Sequence, residues 1–318
     1  GPLSFQPAEY LKIIVVWFLA HTFSKKQSAI ERYDYQALTK NRWIPRKRSQ
    51  LNDWRYYLLV MIGLVAIQPD LGNAAIIVLT TVIMFSISGV GYRWFTALFA
   101  SIVGLSSAFL GLIALVGVKT MSKVPIFGYV AKRFAAYFNP FKDLTGSGLQ
   151  LSHSYYAMSN GGWFGLGLGN SIEKTGYLPE ATTDFVFSIV IEELGLIGAG
   201  LILALLFFLI LRIMIVGVKA RNPFNSMMAL GVGSLLLMQV FVNIGGISGL
   251  IPSTGVTFPF LSQGGNSLLV TSVGIAFVLN IAANEKRDNI VQAIEEELSQ
   301  TQELEKQDEK IVPLRRSR

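Results

Sequence analysis

The chain has 318 residues, of which 52% are hydrophobic and 15% are charged, and its mean hydropathy is +0.48. It is too apolar for a soluble domain of this length and too sparsely charged for a disordered one, so we expect a polytopic helical membrane protein. Zero cysteines and two histidines exclude disulfide frameworks and thiolate metal sites, and argue against His-based metal cages and a Ser-His-Asp triad. The net charge of +7 is first explained by membrane topology rather than by nucleic-acid binding.

Seven apolar segments predict seven membrane-spanning helices in an all-α fold. They are residues 5–23, 54–67, 71–90, 94–118, 185–216, 227–250 and 265–283. The second has only about 14 residues, roughly 21 Å of helix, and barely crosses a bilayer. Gln68 and Asp70, which follow it, are therefore candidates to face a cavity rather than bulk water.

The charge of the loops predicts the orientation. Residues 25–55 carry nine Lys and Arg against three acidic residues, which assigns this loop to the cytoplasm. Counting alternately, residues 119–184 lie outside and form a large extracellular loop. We expect a membrane-embedded core over 1–284, preceded by further helices, and a charged, helical cytoplasmic tail over 285–318.

The outer loop has about 65 residues, too many for a simple connector, and loops of that length are functional or disordered. We expect order, with an interfacial helix over 124–138 and a second short helix over 149–158. Residues 161–170 are rich in glycine, but no strand precedes them and they lie outside the cell. They predict a tight, re-entrant turn with close backbone approach rather than a nucleotide-binding loop.

The segment 178–185 sets the Asp184 carboxylate where the outer loop meets a long apolar helix, at one membrane face and within reach of a lipid headgroup. Glu192 and Glu193 lie about two turns further on, and Glu193 projects from the face opposite Asp184. The three carboxylates cannot line one site, so a paired-carboxylate glycosidase arrangement within this helix is not supported.

Glu9 and Lys12 are three residues apart in the first apolar segment, the spacing at which two side chains meet on one helix face. They predict an ion pair within the membrane. Such a pair either neutralises itself to hold helices together or shapes a polar cavity, since ionisable groups at this depth are costly. Both interpretations stay open.

Motifs in a fixed order over almost the whole chain carry a family resemblance. They are Phe5-Gln6-Pro7-Ala8-Glu9 with Lys12, Gln68 to Gly72, Arg133 to Pro140, Gly146 to Leu151, Gly167 to Ser171, Leu178 to Phe185, Glu192 to Gly195 and Pro252 to Leu269. The chain resembles the SEDS (shape, elongation, division and sporulation) family, which includes FtsW, RodA and SpoVE. It is most similar to the FtsW members of low-GC Gram-positive bacteria, with RodA as the neighbouring possibility.

The resemblance implies a ten-helix fold, three helices of which would precede Gly1. It also implies peptidoglycan glycosyltransfer, in which lipid II units are joined by β-1,4 linkages with release of undecaprenyl pyrophosphate. The implied partners are a class B penicillin-binding transpeptidase, its single helix packed against residues 185–250, and other division proteins. The implied location is the bacterial cell membrane at the division septum.

The chain departs from the usual family pattern at four positions. Thr182 stands where histidine is common and Asn73 where threonine is frequent, while Gln263 and Asn266 replace tyrosine and serine. Since Asp184 and Ser262 are retained, these changes affect fine tuning more than activity.

The resemblance also implies roles for particular residues. Asp184 is the candidate general base for the acceptor hydroxyl. The leaving pyrophosphate calls for cations, for which the candidates, in order, are Arg133, Lys174, Lys132 and Lys12. The remaining candidate substrate-binding residues are Glu9, Gln150 and Ser262, although either of the last two could instead cap a helix, and the lysines could be solvated charges.

A divalent cation, Mg²⁺ or Mn²⁺, is implied by resemblance although no ligand cluster is visible, and no organic cofactor is expected. Phe134, Tyr137 and Phe138 could guide a polyprenyl tail or anchor the loop in the interface. The other functional hypotheses are a RodA-type elongation polymerase, a lipid II flippase using Glu9 and Lys12, and a scaffold that recruits division proteins. No internal repeat supports a transporter.

Overall fold

The computed structural model describes residues 6–33, 54–68, 70–116, 133–142 and 146–315. The regular secondary structure in these ranges is helical, with a short helical stretch at 133–138 and a 3₁₀ turn at Glu173–Thr175. The longer helices are α1 Pro7–Tyr33, α2 Trp54–Ile67, α3 Leu71–Ile87, α4 Tyr92–Val116, α5 Ser147–Gly161, α6 Val186–Lys219, α7 Pro223–Ile247 and α8 Gly265–Arg315. The predicted all-α membrane fold is confirmed.

A helix covers most of each of the seven apolar segments in the described part of the chain, and α2 has the predicted bounds. The predicted short outer helix is also present, as α5. By length and composition, Val186–Lys219, Pro223–Ile247 and Gly265–Gln302 can cross a membrane, whereas Trp54–Ile67 and Leu71–Ile87 are shorter apolar helices. α8 continues beyond residue 283 into the predicted tail, because neither glycine nor proline interrupts residues 284–312.

The central element is α7, which packs against α1, α3, α6 and α8. Small residues bring these helices close together. A methyl group added at Gly231 would lie 2.6 Å from Val16 and 2.9 Å from Met84, so α7 contacts α1 and α3 over its glycine face. Most of α7 is buried within the bundle, whereas most of α6 is exposed.

α6 is broken at Gly195, whose φ of 71° and ψ of 178° are not helical. The predicted continuous helix over 185–216 is wrong at this point. In an unbroken helix, the N–H groups of residues 196 and 197 would bond the carbonyls of 192 and 193. Instead, the two N–H groups and the two carbonyls all form hydrogen bonds with the glycine-rich segment 162–167.

The exchange satisfies all four backbone groups. The bonds are Leu196 N to Gly162 O at 2.9 Å, Ile197 N to Trp163 O at 3.2 Å, Leu166 N to Glu192 O at 2.9 Å, and Gly167 N to Glu193 O at 2.9 Å. Gly162, Gly165 and Gly167 have positive φ. The predicted re-entrant turn with close backbone approach is confirmed.

α6 and α7 are antiparallel in a register that two glycines define. A methyl group at Gly217 would lie 2.7 Å from Leu230, and one at Gly233 would lie 2.7 Å from Met214. For two residues that face each other across α6 and α7, the sequence numbers therefore add up to about 447.

This register shows that α6 reverses at its break. A straight α6 would place residue 204 opposite Asn243, with Asp184 roughly 30 Å further along the axis. Asn243 Nδ2 nevertheless lies 2.7 Å from the carbonyl oxygen of Asp184. The segment before Gly195 thus turns back, and Asp184 lies within the outer end of the bundle instead of above it.

Candidate active site

Three consecutive backbone carbonyls of the loop before α6 are held from the other side of the site. The donors lie in α7 and in the segment between α7 and α8. The bonds are Gln263 N to Thr182 O at 2.8 Å, Ser262 Oγ to Thr183 O at 2.6 Å, and Asn243 Nδ2 to Asp184 O at 2.7 Å. We call these three bonds the carbonyl clamp. It fixes the backbone that carries Asp184.

Asp184 and Arg133 meet at Gly255, in the extended segment between α7 and α8. A methyl group added at Gly255 would lie 3.3 Å from Asp184 Oδ2 and 3.2 Å from Arg133 Nη2. Gly255 has a φ of +75°, which L-residues rarely adopt. The absence of a side chain at Gly255 therefore leaves a space that is bordered by both a carboxylate and a guanidinium.

The surroundings of Asp184 adjust its proton affinity. The pKa of the Asp184 carboxyl is raised from its ordinary 3.8 to about 6, chiefly by burial and also by the nearby carboxylates of Glu180 and Asp70, while the charge of Arg133 opposes the rise. The group is mostly ionised at neutral pH but binds a proton readily, as a general base must.

Arg133 begins the helical stretch 133–138 and borders a second, largely apolar cleft. Its Nη1 donates a hydrogen bond to Ser253 O. The cleft is lined by Leu71, Gly72, Arg133, Phe134, Ile251, Pro252, Ser253 and Thr254. Since Ser253 and Thr254 also line the cleft at Asp184, the two spaces adjoin. A ligand whose anionic group binds Arg133 could therefore place an attached apolar chain in this second cleft.

Glu9 and Lys12 form the predicted ion pair, with Lys12 Nζ 2.8 Å from Glu9 Oε2 and both side chains buried. The Lys12 ammonium has no well-aligned hydrogen bond to a described residue, so the contact is ionic. Asn73 Nδ2 links Glu9, at 3.1 Å, to Asp70, at 2.8 Å. Asp70 also accepts from Gln6 Nε2 at 3.2 Å. The network thus reaches from the ion pair to a carboxylate that acts on Asp184.

Lys174 forms an ion pair with Glu193. Glu193 lies nine residues after Asp184, roughly 13 Å along a helix. Glu192 is fully buried and accepts from Asn160 Nδ2 at 3.1 Å and from Ser171 Oγ. Glu192 and Glu193 thus have partners of their own, which agrees with the prediction that the three carboxylates do not line one site. The role of Lys174 in binding pyrophosphate stays a prediction.

The other candidate residues are placed differently. Ser262 Oγ donates to Thr183 O and accepts from Phe258 N at 2.6 Å, so its hydroxyl ties two loops together. Gln150 is half-buried in the first turn of α5. Lys132 and most of the predicted interfacial helix over 124–138 lie outside the described residues. Sugar or phosphate binding by these side chains stays a prediction.

Comparison with known proteins agrees with the motif pattern. The family model FTSW_RODA_SPOVE, described as "Cell cycle protein", matches residues 1–287. The chain belongs to this family. It is 50% identical over 285 residues to the probable peptidoglycan glycosyltransferase FtsW of Lactococcus lactis, covering 90% of this chain and 67% of that protein. It is also 37% identical over 282 residues to stage V sporulation protein E of Bacillus subtilis, covering 89% of this chain and 69% of that protein.

Solved structures share the fold of this member of the FtsW, RodA and SpoVE family. One belongs to a peptidoglycan synthase complex, with a TM-score of 0.61, 26% identity, and coverage of 90% of this chain and 72% of that one. RodA of Thermus thermophilus has a TM-score of 0.51 and 24% identity, with coverage of 90% and 68%. The chain spans about two thirds of the length of the curated relatives it matches.

Metal binding in this family member was predicted from resemblance alone. Among the described residues, His, Asp and Glu side chains form no group of three or more that could hold a metal ion. Mg²⁺ or Mn²⁺ binding therefore stays a prediction.

Sequence reasoning missed Asn243 and Gly255. Asn243 is a buried amide near the C-terminal end of α7, within a predicted membrane span, and an uncompensated amide there is costly. That polarity was the signal that could have singled it out. Gly255 gave no comparable signal, because its importance depends on Arg133 and Asp184 approaching it from distant parts of the chain.

Proposed function

We propose that this chain is the membrane-embedded core of a peptidoglycan glycosyltransferase that polymerises lipid II during cell division. The carrying observation is the Asp184 carboxylate, which lies within the bundle, has a pKa of about 6, and adjoins the Arg133 guanidinium at Gly255. The name of the Lactococcus lactis relative, a probable peptidoglycan glycosyltransferase, supports the same activity, and the description of the family model as "Cell cycle protein" supports the division role.

In the proposed reaction, Asp184 accepts the proton of an acceptor sugar hydroxyl. The oxygen attacks the anomeric carbon of the donor and forms the β-1,4 bond. The bond between that carbon and the phosphate oxygen breaks, and its electron pair leaves with undecaprenyl pyrophosphate. A positioned base typically contributes roughly 10²- to 10⁴-fold to the rate.

Arg133 is suited to the developing charge of the pyrophosphate, because a guanidinium binds phosphate oxygens in a planar, bidentate way. The apolar cleft that begins at Arg133 would take the first isoprene units of the polyprenyl chain. Mg²⁺ or Mn²⁺ would add to the neutralisation of the pyrophosphate.

A class B penicillin-binding transpeptidase is the proposed partner, at the division septum. The similarity to a chain of a peptidoglycan synthase complex supports an assembly of this kind. Leu201, Leu205 and Phe208 give α6 an exposed apolar side on which a single membrane helix could pack.

Lipid II transport is the second candidate function. The observation that favours it is the buried ion pair of Glu9 and Lys12, since ionisable groups inside a membrane bundle often mark a pathway for polar substrates.

The test is polymerisation of purified lipid II by the full-length chain with its transpeptidase partner, comparing wild type with Asp184→Asn. We expect at least a 100-fold loss in Asp184→Asn at unchanged expression. Glu180→Gln is the matched control, because it removes an exposed carboxylate from the same loop, and we expect turnover within threefold of wild type. Glycan formation by Asp184→Asn would refute the assignment. Translocation of lipid II without polymerisation in any variant would favour transport.

A further inference from the structure

One side chain of α7 joins both halves of the site. Asn243 Nδ2 donates to Asp184 O at 2.7 Å and to Val256 O at 2.6 Å. Since both partners are carbonyl oxygens, the amide nitrogen and not the amide oxygen must face them. Both of its hydrogens are used. Asn243 thus connects the loop that carries the base to the segment that carries Gly255.

The position of Asn243 explains more than local packing. Val256 follows Gly255, the residue at which Asp184 and Arg133 meet. The Asn243 side chain therefore sets the distance between the backbone of Asp184 and the backbone at Gly255. Arg133 approaches the same glycine. The amide oxygen has no hydrogen-bond donor among the described residues, so the cost of burying Asn243 is offset chiefly by these two bonds.

We propose that Asn243 is a positioning residue for the glycosyl transfer, and that Ser262 assists it through the carbonyl of Thr183. The proposal rests on the proposed function, in which Asp184 is the base. Asn243 acts through the backbone on both sides of the site and takes no part in bond making. By the same argument, Ser262 Oγ holds the loop before α6 through its hydrogen bond to Thr183 O, and its proposed role is to position this loop rather than to bind substrate.

Loss of the clamp should alter the protonation of Asp184 as well as its position. The charged groups that act on Asp184 are Glu180 in its own loop, Arg133 from the helical stretch 133–138, and Asp70 at the start of α3. Burial is the main reason that the pKa of Asp184 is raised. A loosened loop admits water to the carboxylate, which lowers that pKa toward its ordinary value. The acid side of the pH–rate profile would then move to lower pH.

The experiment measures kcat, KM and the pH–rate profile of lipid II polymerisation for Asn243→Ala in the full-length chain with its partner. We expect kcat to fall 10- to 100-fold, KM to change less than threefold, and the acid limb to move down by at least half a pH unit. Gln239→Ala is the matched control. Gln239 is a buried amide one turn earlier in α7, and its Nε2 bonds Thr257 O at 3.0 Å without reaching the Asp184 loop. We expect Gln239→Ala to lose stability and keep its acid limb.

Ser262 supplies a second test that does not depend on the folding of Asn243→Ala. Ser262→Ala should lower kcat about tenfold, and Ser262→Thr, which keeps the hydroxyl, should recover most of it. A rise in KM with unchanged kcat would mean that Ser262 binds substrate directly and would overturn its part of the proposal.

Two outcomes separate this proposal from the proposed function. Polymerisation by Asp184→Asn would show that Asp184 is not the base, and would overturn both the proposed mechanism and the positioning role of Asn243. An inactive Asp184→Asn combined with a wild-type kcat and acid limb in Asn243→Ala would overturn the positioning role alone. An equal shift of the acid limb in Gln239→Ala would also overturn it, since any disturbance of α7 would then suffice.

Discussion

Arg133 and Asp184 both border the position that a side chain at Gly255 would occupy, and the φ of Gly255 is +75°. A side chain there would intrude on both charged groups. We expect Gly255→Ala to reduce polymerisation at least 10-fold, measured as kcat/KM on lipid II. Gly146 is the matched control, because its φ is also +75° and nothing lies within 4 Å of an added methyl group. Both variants should lose about 1 kcal/mol from backbone strain. Equal activity losses in the two would mean that strain, not intrusion, is responsible.

Asp184 should destabilise the folded protein at neutral pH. Its pKa is raised to about 6 in the folded state, so between about pH 4 and 6 the folded protein binds more protons than the unfolded one, and stability falls as pH rises. We expect Asp184→Asn to be more stable than wild type at pH 7.5, by about 1–3 kcal/mol, and the difference to disappear near pH 4. Thermal unfolding in nanodiscs measures this. A wild type that is the more stable protein at pH 7.5 would contradict it.

Two replacements of Arg133 should have different pH profiles. The positive charge of Arg133 lowers the pKa of Asp184, so Arg133→Gln should move the acid limb of polymerisation above pH 6. Arg133→Lys keeps the charge but loses the planar fork, and should keep the limb near pH 6 while kcat/KM falls roughly 10- to 100-fold. Lys142→Gln removes an exposed charge near the same stretch and should leave both unchanged. The same acid limb in the two Arg133 variants would argue against the charge effect of Arg133 on Asp184, and a wild-type kcat/KM in Arg133→Lys would argue against bidentate phosphate binding.

The glycine-rich segment should tolerate substitution at some positions and not at others. A methyl group at Gly165 would lie 2.2 Å from Glu193 O, whereas one at Gly169 would meet nothing within 4 Å. Both residues have positive φ, so strain is common to both. We expect Gly165→Ala to cost about 3 kcal/mol or more, since backbone atoms cannot yield as side chains do, and Gly169→Ala about 1 kcal/mol. Thermal melting of the two purified variants makes the comparison, and similar losses would be inconsistent with the hydrogen-bond exchange at Gly195.

Removing one partner of the ion pair between Glu9 and Lys12 should cost more stability than removing both. Lys12→Met leaves the buried Glu9 carboxylate without its cation, and we expect a loss of about 3–5 kcal/mol. Adding Glu9→Gln should recover most of the stability. If the pair only neutralises itself, the double variant should polymerise lipid II at close to the wild-type rate. A stable double variant without polymerisation would instead assign the pair a role with the substrate.

The helices were predictable because each apolar segment must be helical to satisfy its own backbone in a membrane. For α2 even the bounds could be read, since a charged loop precedes Trp54 and a proline follows Gln68. The break in α6 could not be read in the same way. Residues 195, 198 and 200 are all glycine, and glycine within an apolar helix is tolerated, so no one of the three marks the break. The partners that open the helix at Gly195 come from residues about 30 positions earlier.

The site was predictable only in part. Asp184 stood out because a carboxylate at the start of an apolar helix needs an explanation, and Glu9 and Lys12 stood out by their spacing. Ser262 was noticed for its hydroxyl, but the carbonyl to which it donates belongs to a loop 79 positions away. Such contacts depend on the tertiary arrangement, and no local pattern contains them.

The exchange of hydrogen bonds at Gly195 makes two distant stretches of chain open and close together. The amides of Leu196 and Ile197 can exchange with solvent only when the carbonyls of Gly162 and Trp163 move away. Those of Leu166 and Gly167 are tied in the same way to Glu192 and Glu193. The outer loop and the apex of α6 therefore form one cooperative unit of unfolding. Local opening of this unit would free the end of the helical segment 186–194 that lies at the break, while the carbonyl clamp would still hold Asp184 at its other end.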